Sequence, residues 1–138
     1  MVDPQTLDEV DVLTRTVYGE ARGESADGQA AVAWVIRNRA SKGPAYMGKT
    51  IKEVCLKPQQ FSCWNSNDSN RSTLLSLDTN SPQYKSIRDI VVQVLNGTRA
   101  DNTLGSLHYH ASRIKPKWIT GKSPAVTIGN HMFYNDID

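Results

Sequence analysis

Apolar residues recur every three or four positions at the start of the chain, at Leu7, Val10, Leu13, Val17 and Ala21. This spacing places them on one face of a helix, which we predict from about Pro4 or Leu7 to Ala21. Gly19 and Gly23 interrupt the pattern near its end. The first apolar stripe therefore faces a core, and a turn follows it.

A second apolar run covers residues 30–36 and is rich in alanine. Its length, together with the basic residues that follow it, favours a buried helix over a strand. We predict this helix from about Asp27, as its cap, to Ser41, with Gly43 and Pro44 ending it. It is expected to pack against the first helix.

The middle of the chain predicts two more helices separated by a polar region. A short helix is expected at residues 50–56. Residues 57–79 are rich in Ser and Asn, and we interpret them as a long loop region of the kind that forms binding clefts. Ser81 and Pro82 then begin a helix whose apolar stripe continues up to Gly97.

The C-terminal third is strand-like at residues 107–111 and 125–134, and the second segment contains Gly129-Asn130 as a turn or bulge. The predicted fold class is therefore α+β and mostly α: a compact helical domain with a small antiparallel β-sheet near the C-terminus. A chain of 138 residues is long enough for one domain with a buried core, so we expect a single domain over residues 1–138.

The composition is that of an ordinary globular domain, with 38% hydrophobic and 22% charged residues. A formal net charge of +2 is too small to indicate a nucleic-acid partner, and no apolar run approaches the roughly 20 residues of a membrane helix. Residues 1–5 lack the basic and apolar parts of a signal peptide, so synthesis in the cytoplasm is expected. We also expect a monomer in which Cys55 and Cys63 are reduced.

The segment Tyr18-Gly19-Glu20-Ala21-Arg22-Gly23-Glu24 carries the strongest candidate chemistry. The negative end of the first helix and a second nearby carboxylate should keep one carboxyl protonated near neutral pH, and we assign it to Glu20. A protonated carboxyl can act as a general acid on a glycosidic oxygen, because a sugar is a poor leaving group without a proton. The alternative is a solvated helix end in which Arg22 makes a weak ion pair.

The blocks that accompany this segment change the balance between the two interpretations. They are, in chain order, Asp27-Gly28-Gln29-Ala30-Ala31-Val32-Ala33-Trp34-Val35-Ile36-Arg37-Asn38-Arg39, Gln60-Phe61-Ser62-Cys63-Trp64, Leu107-His108-Tyr109-His110, Lys117-Trp118 and Ile128-Gly129-Asn130-His131-Met132-Phe133-Tyr134. In this order the chain closely resembles the SleB-like cell wall hydrolase family, which includes spore cortex-lytic enzymes and many phage endolysins. The resemblance spans nearly the whole chain.

The resemblance implies a lysozyme-like domain that cleaves the β-1,4 bond between N-acetylmuramic acid and N-acetylglucosamine in peptidoglycan, without a cofactor. Spore members act as lytic transglycosylases, in which one glutamate, here Glu20, serves as acid and then as base. Glu24 is a secondary catalytic candidate. We therefore expect a phage endolysin that reaches the peptidoglycan after release through holin pores, with a hydrolytic muramidase as the alternative.

The later blocks supply candidate substrate-binding residues. Aromatic rings can stack on sugars, and polar side chains can bond hydroxyl or acetamido groups. With the first block, the candidates are Arg22, Gln60, Phe61, Ser62, Trp64, Tyr109, His110 and Trp118. From composition alone, residues 60–64 could equally be a core plug, and Trp118 could equally be a packing residue in a solvated loop.

Three histidines suggest a test for a different class of enzyme. His108, His110 and His131 include an H-x-H pair, which can contribute to a zinc site of the kind used by wall amidases. No fourth ligand or HExxH helix accompanies them, so no metal is predicted. A zinc-dependent wall amidase or peptidase and a non-catalytic peptidoglycan-binding module remain the alternatives to a glycosidase.

Overall fold

The computed structural model describes residues 3–58 and 60–137. Within them lie five α-helices and three β-strands, namely α1 Glu9–Ala21, α2 Ala26–Lys42, α3 Ile51–Leu56, α4 Asn70–Ser76, α5 Pro82–Leu95, β1 His108–Ala111, β2 Val126–Ile128 and β3 His131–Tyr134. The predicted fold class, mostly helical with a small antiparallel sheet near the C-terminus, is confirmed. None of the described helices is long and apolar enough to cross a membrane.

Helices α1, α2 and α5 pack against one another and form the core. Fully buried side chains from all three meet there, including Val12, Leu13, Val17, Val32, Ile36, Val91 and Val94. Each fully buried Val, Leu or Ile side chain contributes roughly 1.5–3 kcal/mol. The apolar stripes read from the sequence therefore supply the packing that holds α1 in place.

The helix boundaries follow from local capping. The Ser25 hydroxyl accepts a hydrogen bond from the Gly28 N–H at 3.3 Å and caps α2, so the predicted cap at Asp27 is wrong by two residues. Asp27 lies instead in the first turn, where its negative charge complements the helix dipole. The predicted cap at Ser81 is confirmed, because its hydroxyl accepts from the Tyr84 N–H at 3.2 Å.

The loop predicted for residues 57–79 is wrong, because this region contains a 3-10 helix at Ser62–Trp64 and helix α4. Leu74 and Leu75 of α4 are buried, and the packing supplies the stability that a seven-residue helix lacks by itself. Arg15 on α1 donates to the carbonyl oxygen of Leu74 at 2.6 Å. Contacts distant in sequence therefore make this segment helical.

The three strands form an antiparallel sheet in the order β1-β3-β2. Gly129 and Asn130 form the predicted turn between β2 and β3, with Gly129 at φ +57°. Phe133 is fully buried against Ala31 and Val35 of α2, which fixes the sheet on the helical layer. This docking brings β1 next to the C-terminal end of α1.

Candidate active site

Glu20 lies in a groove of about 360 Å³ between the helical layer and the sheet. Five parts of the chain line it, through Glu20, Arg39, Gln60, Phe61, Ser62, Tyr109, His110, Ala111, Arg113, Ile114 and His131. Glu20 is the one carboxylate among these described residues. The groove thus combines a single potential acid with several hydrogen-bond donors and two arginines.

Three depressions, of about 770, 710 and 380 Å³, are larger than this groove, and the first two lie around the segment Leu56 to Pro58. The first contains Glu53, but its carboxylate accepts a hydrogen bond from the Lys49 N–H at 2.8 Å and holds the start of α3. None of the three contains Glu20. We therefore identify the smaller groove as the candidate active site from its chemistry and not from its size.

The last turn of α1 positions Glu20, and Gly19 allows a close approach to that turn. A Cβ at Gly19 would lie 3.0 Å from the Cβ and Sγ of Cys63 and from Cδ2 of Leu74. Cys63 is buried there, and this burial, followed by the negative charge of Glu20, raises the pKa of the thiol. A neutral thiol therefore packs against the turn that carries the acid.

The Tyr109 hydroxyl donates a hydrogen bond to Oε1 of Glu20 at 2.5 Å. Its ring lies edge-on to His131 and stacks on Phe133, with centroids 5.1 and 5.6 Å away. Burial, followed by the negative charge of Glu20, raises the pKa of Tyr109 well above its ordinary value. The phenol therefore stays a donor and fixes the orientation of the Glu20 carboxyl from the sheet side.

Glu24 is held by a different part of the molecule. Because α1 ends at Ala21, Glu24 no longer shares a helix face with Glu20. Its two oxygens accept from the backbone N–H and the side-chain amide of Asn130, at 2.9 and 3.1 Å. The backbone hydrogen bond from Asn130 lowers the pKa of Glu24, so this carboxyl is ionised near neutral pH and fastens the β2–β3 turn outside the groove.

Arg39 is a groove residue that the sequence reasoning did not single out. It is only 8% exposed, its Nε donates to the carbonyl oxygen of Leu107 at 2.7 Å, and its guanidinium lies 5.3 Å from the centroid of the Phe61 ring. A signal was present, because Arg39 follows Val35 by four positions and Ile36 by three. A cation on the buried face of an otherwise apolar helix is unusual.

Two histidines line the groove in different states. His110 is fully engaged, with Nδ1 2.8 Å from the carbonyl oxygen of Ala111 and Nε2 2.9 Å from the Tyr134 hydroxyl. His131 is equally buried, but its Nδ1 has no hydrogen-bond partner among the described residues. Burial lowers the pKa of His131, which keeps the ring neutral at neutral pH.

Five of the eight predicted substrate-binding residues line the groove: Gln60, Phe61, Ser62, Tyr109 and His110. Of these, Phe61 is buried beneath Arg39 and Ser62 is exposed. The amide of Gln60 donates to the carbonyl oxygens of Met47 and Val54 at 3.1 and 2.9 Å, so it also fastens the groove wall.

The other three predicted substrate-binding residues lie outside the groove. Arg22 donates to the Asn70 side chain at 3.1 Å, and Trp64 donates through Nε1 to the Thr16 hydroxyl at 2.8 Å. Trp118 packs its ring against the rings of His110 and Tyr134. For Trp64 this geometry agrees with the alternative of a core plug.

The described ranges, residues 3–58 and 60–137, contain no group of three or more His, Cys, Asp or Glu side chains that could hold a metal ion. Both nitrogens of His110 are already hydrogen-bonded within the protein. Cys55 and Cys63 are free and buried, and burial raises the pKa of Cys55 to about 12. The structure therefore gives no support to the zinc alternative within these ranges.

Comparison with known proteins identifies the family of the chain. Residues 23–134 match the family described as Cell Wall Hydrolase. Spore cortex-lytic enzymes of Bacillus cereus and Oceanobacillus iheyensis are 30% and 29% identical over 126 residues, which is 91% of this chain. The chain spans only 43% and 41% of the length of these two relatives.

Solved structures show the same fold. The catalytic domain of SleB from Bacillus cereus aligns with a TM-score of 0.73 at 29% identity, covering 91% of this chain and 88% of that one. The catalytic domain of the germination-specific lytic transglycosylase SleB from Bacillus anthracis gives 0.73 at 28% identity, with 96% and 99% covered. The resemblance read from the sequence is confirmed, and the chain belongs to the cell wall hydrolase family.

Proposed function

We propose that this domain cleaves the glycan strands of peptidoglycan as a lytic transglycosylase, with Glu20 as its single acid and base. The observation that carries the proposal is that Glu20 is the one carboxylate among the described residues that line the groove, where the Tyr109 hydroxyl orients it. The names of the relatives, spore cortex-lytic enzyme and lytic transglycosylase, support the same chemistry.

The reaction needs only one carboxyl group. Glu20 gives its proton to the glycosidic oxygen, and the bond from that oxygen to C1 of N-acetylmuramic acid breaks with its electron pair staying on the oxygen. The C6 hydroxyl of the same sugar then bonds to C1, and its proton returns to Glu20. No water is consumed. Retaining and inverting glycosidases use a pair of carboxylates instead.

The Tyr109 hydrogen bond supports different tasks for the two oxygens of Glu20. Oε1 accepts the Tyr109 hydrogen bond at 2.5 Å, so we assign proton transfer to Oε2. Ser62 and Arg113 are exposed on the groove lining, where they can bond the hydroxyl, acetamido or carboxylate groups of the strand. The phenol thus aims the acid while the groove lining holds the sugar.

The central experiment is digestion of purified sacculi, followed by mass spectrometry of the released muropeptides. The wild type should release 1,6-anhydro ends. Glu20→Gln should lower the rate by about 10²–10⁴-fold while folding and sacculus binding persist, because the amide keeps the shape but delivers no proton. Glu9→Gln, at the exposed start of the same helix, is the matched control and should keep its activity.

Other products would replace the proposal. Reducing ends from the wild type would indicate a muramidase, in which water takes the place of the C6 hydroxyl. Free stem peptides whose release stops in excess EDTA would indicate a zinc amidase. Sacculi that bind the protein and stay intact at several pH values would indicate a binding module. Full turnover by Glu20→Gln would remove Glu20 from its role.

We also propose an endolysin setting, in which the protein is made in the cytoplasm and reaches the peptidoglycan through holin pores. The support is the resemblance to a family that includes phage endolysins. Expression in a bacterial host with and without a holin tests this: lysis should require the holin. Lysis without it would contradict the proposed route.

A further inference from the structure

Arg39 is a buried cation that has no carboxylate within ion-pair distance among the described residues. Its contacts are one hydrogen bond to the Leu107 carbonyl oxygen and the face of the Phe61 ring. Buried charges in proteins are normally paired, because the cost of removing them from water must be offset. A guanidinium kept in this place, on the wall of the candidate active site, requires an explanation.

We explain its position by Glu20, which lines the same groove. Glu20 belongs to α1, and Arg39 belongs to α2. Burial lowers the pKa of Arg39, and the negative charge of Glu20 is among the effects that oppose this shift. The two groups therefore interact through space without forming a contact ion pair. A guanidinium remains charged throughout the accessible pH range.

We propose that Arg39 is a positioning residue that acts through Glu20: its fixed positive charge stabilises the Glu20 carboxylate that remains after the proton has moved to the leaving sugar. This inference rests on the proposed function. The charge develops when the glycan has displaced water from the groove, and a preorganised cation is most effective under that condition. Arg39 thus acts on Glu20 through the field of its charge, whereas Tyr109 acts on Glu20 through a direct hydrogen bond.

The other groups that face Glu20 do not supply this charge. Tyr109 and Cys63 stay protonated and neutral because their pKa values are raised, by burial above all. His131 is neutral at neutral pH, since burial lowers its pKa. His110 makes its hydrogen bonds to Ala111 and Tyr134, and Arg113 is exposed on the groove lining, where the proposed function assigns it to groups of the glycan strand.

The test compares Arg39→Met with Arg37→Met in pH–rate profiles on soluble glycan chains. Arg37 is on the same helix, its guanidinium lies 4.5 Å from the centroid of the Trp34 ring, and it does not line the groove. Arg39→Met should lower kcat by about 10- to 100-fold and move the alkaline limb of the profile up by about one pH unit. Arg37→Met should follow the wild type.

Two further variants keep the test decisive if Arg39→Met unfolds. Arg39→Lys retains the charge and should restore the wild-type limb with part of kcat. Arg39→Gln can still donate to the Leu107 carbonyl oxygen but has no charge, so it should behave like Arg39→Met. Thermal unfolding of each variant establishes that the folded protein is being measured.

Two outcomes would overturn the inference. If the uncharged variants lose kcat with an unmoved limb, Arg39 only anchors Leu107. If KM rises while kcat and the limb stay unchanged, Arg39 binds the substrate in its ground state and does not act through Glu20. Both results presuppose that the wild type cuts glycan, so they differ from a failure of the proposed function, in which the wild type releases no glycan fragments.

Discussion

Arg15 and Arg39 are buried to a similar degree, 2% and 8% exposed, but their charges are satisfied in different ways. Arg15 lies between α1 and α4, where Nε pairs with Asp11 at 2.8 Å and Nη1 donates to the Leu74 and Leu77 carbonyl oxygens. Arg39 lies between α2 and the sheet and has one such hydrogen bond.

The difference separates a structural charge from a functional one. Tyr84 also donates to Asp11 at 2.6 Å, so the Arg15 network joins α1, α4 and α5. In this network the Arg15 guanidinium and the Asp11 carboxylate each have a partner of opposite charge. At the candidate active site, by contrast, the charge of Arg39 has no carboxylate partner among the described residues. A buried cation with all its partners in place indicates architecture, whereas one that lacks a counter-charge beside a groove indicates chemistry.

The largest expected effect is that of Arg15→Met on stability. Arg15→Met should lower the free energy of unfolding by about 3 kcal/mol, because it removes the ion pair with Asp11 and the donor to the Leu74 and Leu77 carbonyl oxygens. Urea or thermal unfolding measures this loss. The kcat of the remaining folded protein and the shape of its pH–rate profile should match the wild type. A shifted alkaline limb in Arg15→Met would break the comparison between the two arginines.

A pair of tyrosines sharpens the same comparison. Tyr109→Phe removes the hydrogen bond to Glu20 and should lower kcat up to about tenfold, with a small change in stability. Tyr84→Phe removes the hydrogen bond to Asp11 and should cost about 1.5 kcal/mol of stability, with kcat unchanged. Parallel kinetics and thermal unfolding of both variants test this. A loss of kcat in Tyr84→Phe together with a loss of stability in Tyr109→Phe would contradict the prediction.

The smallest expected effect concerns Glu24, whose pKa is lowered mainly by the backbone hydrogen bond from Asn130. A lowered pKa means that the carboxylate stabilises the folded protein above its unfolded pKa of about 4.5, and that this stability is lost as the pH falls through the folded value. Glu24→Gln should therefore cost about 1 kcal/mol at pH 7, and the difference from wild type should vanish in acid.

Thermal unfolding of Glu24→Gln between pH 7 and pH 3 checks this prediction, with lysis assays alongside. Lysis by the variant should remain close to that of the wild type. If lysis instead falls as far as in Glu20→Gln, the roles of the two carboxylates must be exchanged.

The sequence predicted the features that depend on neighbouring residues. Helix α5 follows from the Ser81 cap and an apolar stripe, and the position of Glu20 follows from the end of the stripe of α1. Helix α4 was missed because it is stabilised by contacts such as that from Arg15 to Leu74, 59 positions away. Helix propensity depends on neighbouring residues and therefore does not predict such contacts.

The candidate site divides in the same way. Glu20 was predicted from its own segment, but the hydrogen bond from Tyr109 to its carboxyl and the position of Arg39 depend on how the sheet docks on the helices. The resemblance predicted that Trp64 binds substrate, and the structure places it outside the groove, where its Nε1 donates to the Thr16 hydroxyl. Residue type alone does not tell which aromatic side chains line the groove.

The hydrogen bond between Glu20 and Tyr109 joins positions 89 apart in the chain. During synthesis, α1, α2 and α5 emerge from the ribosome before β1 and β3, so the helical body can become compact while the acid still lacks its partner. Polypeptides that stop before β1 also lack the groove wall formed by Tyr109, His110 and His131, so under the proposed function they should be inert toward glycan. The proposed activity therefore requires that translation has passed β3.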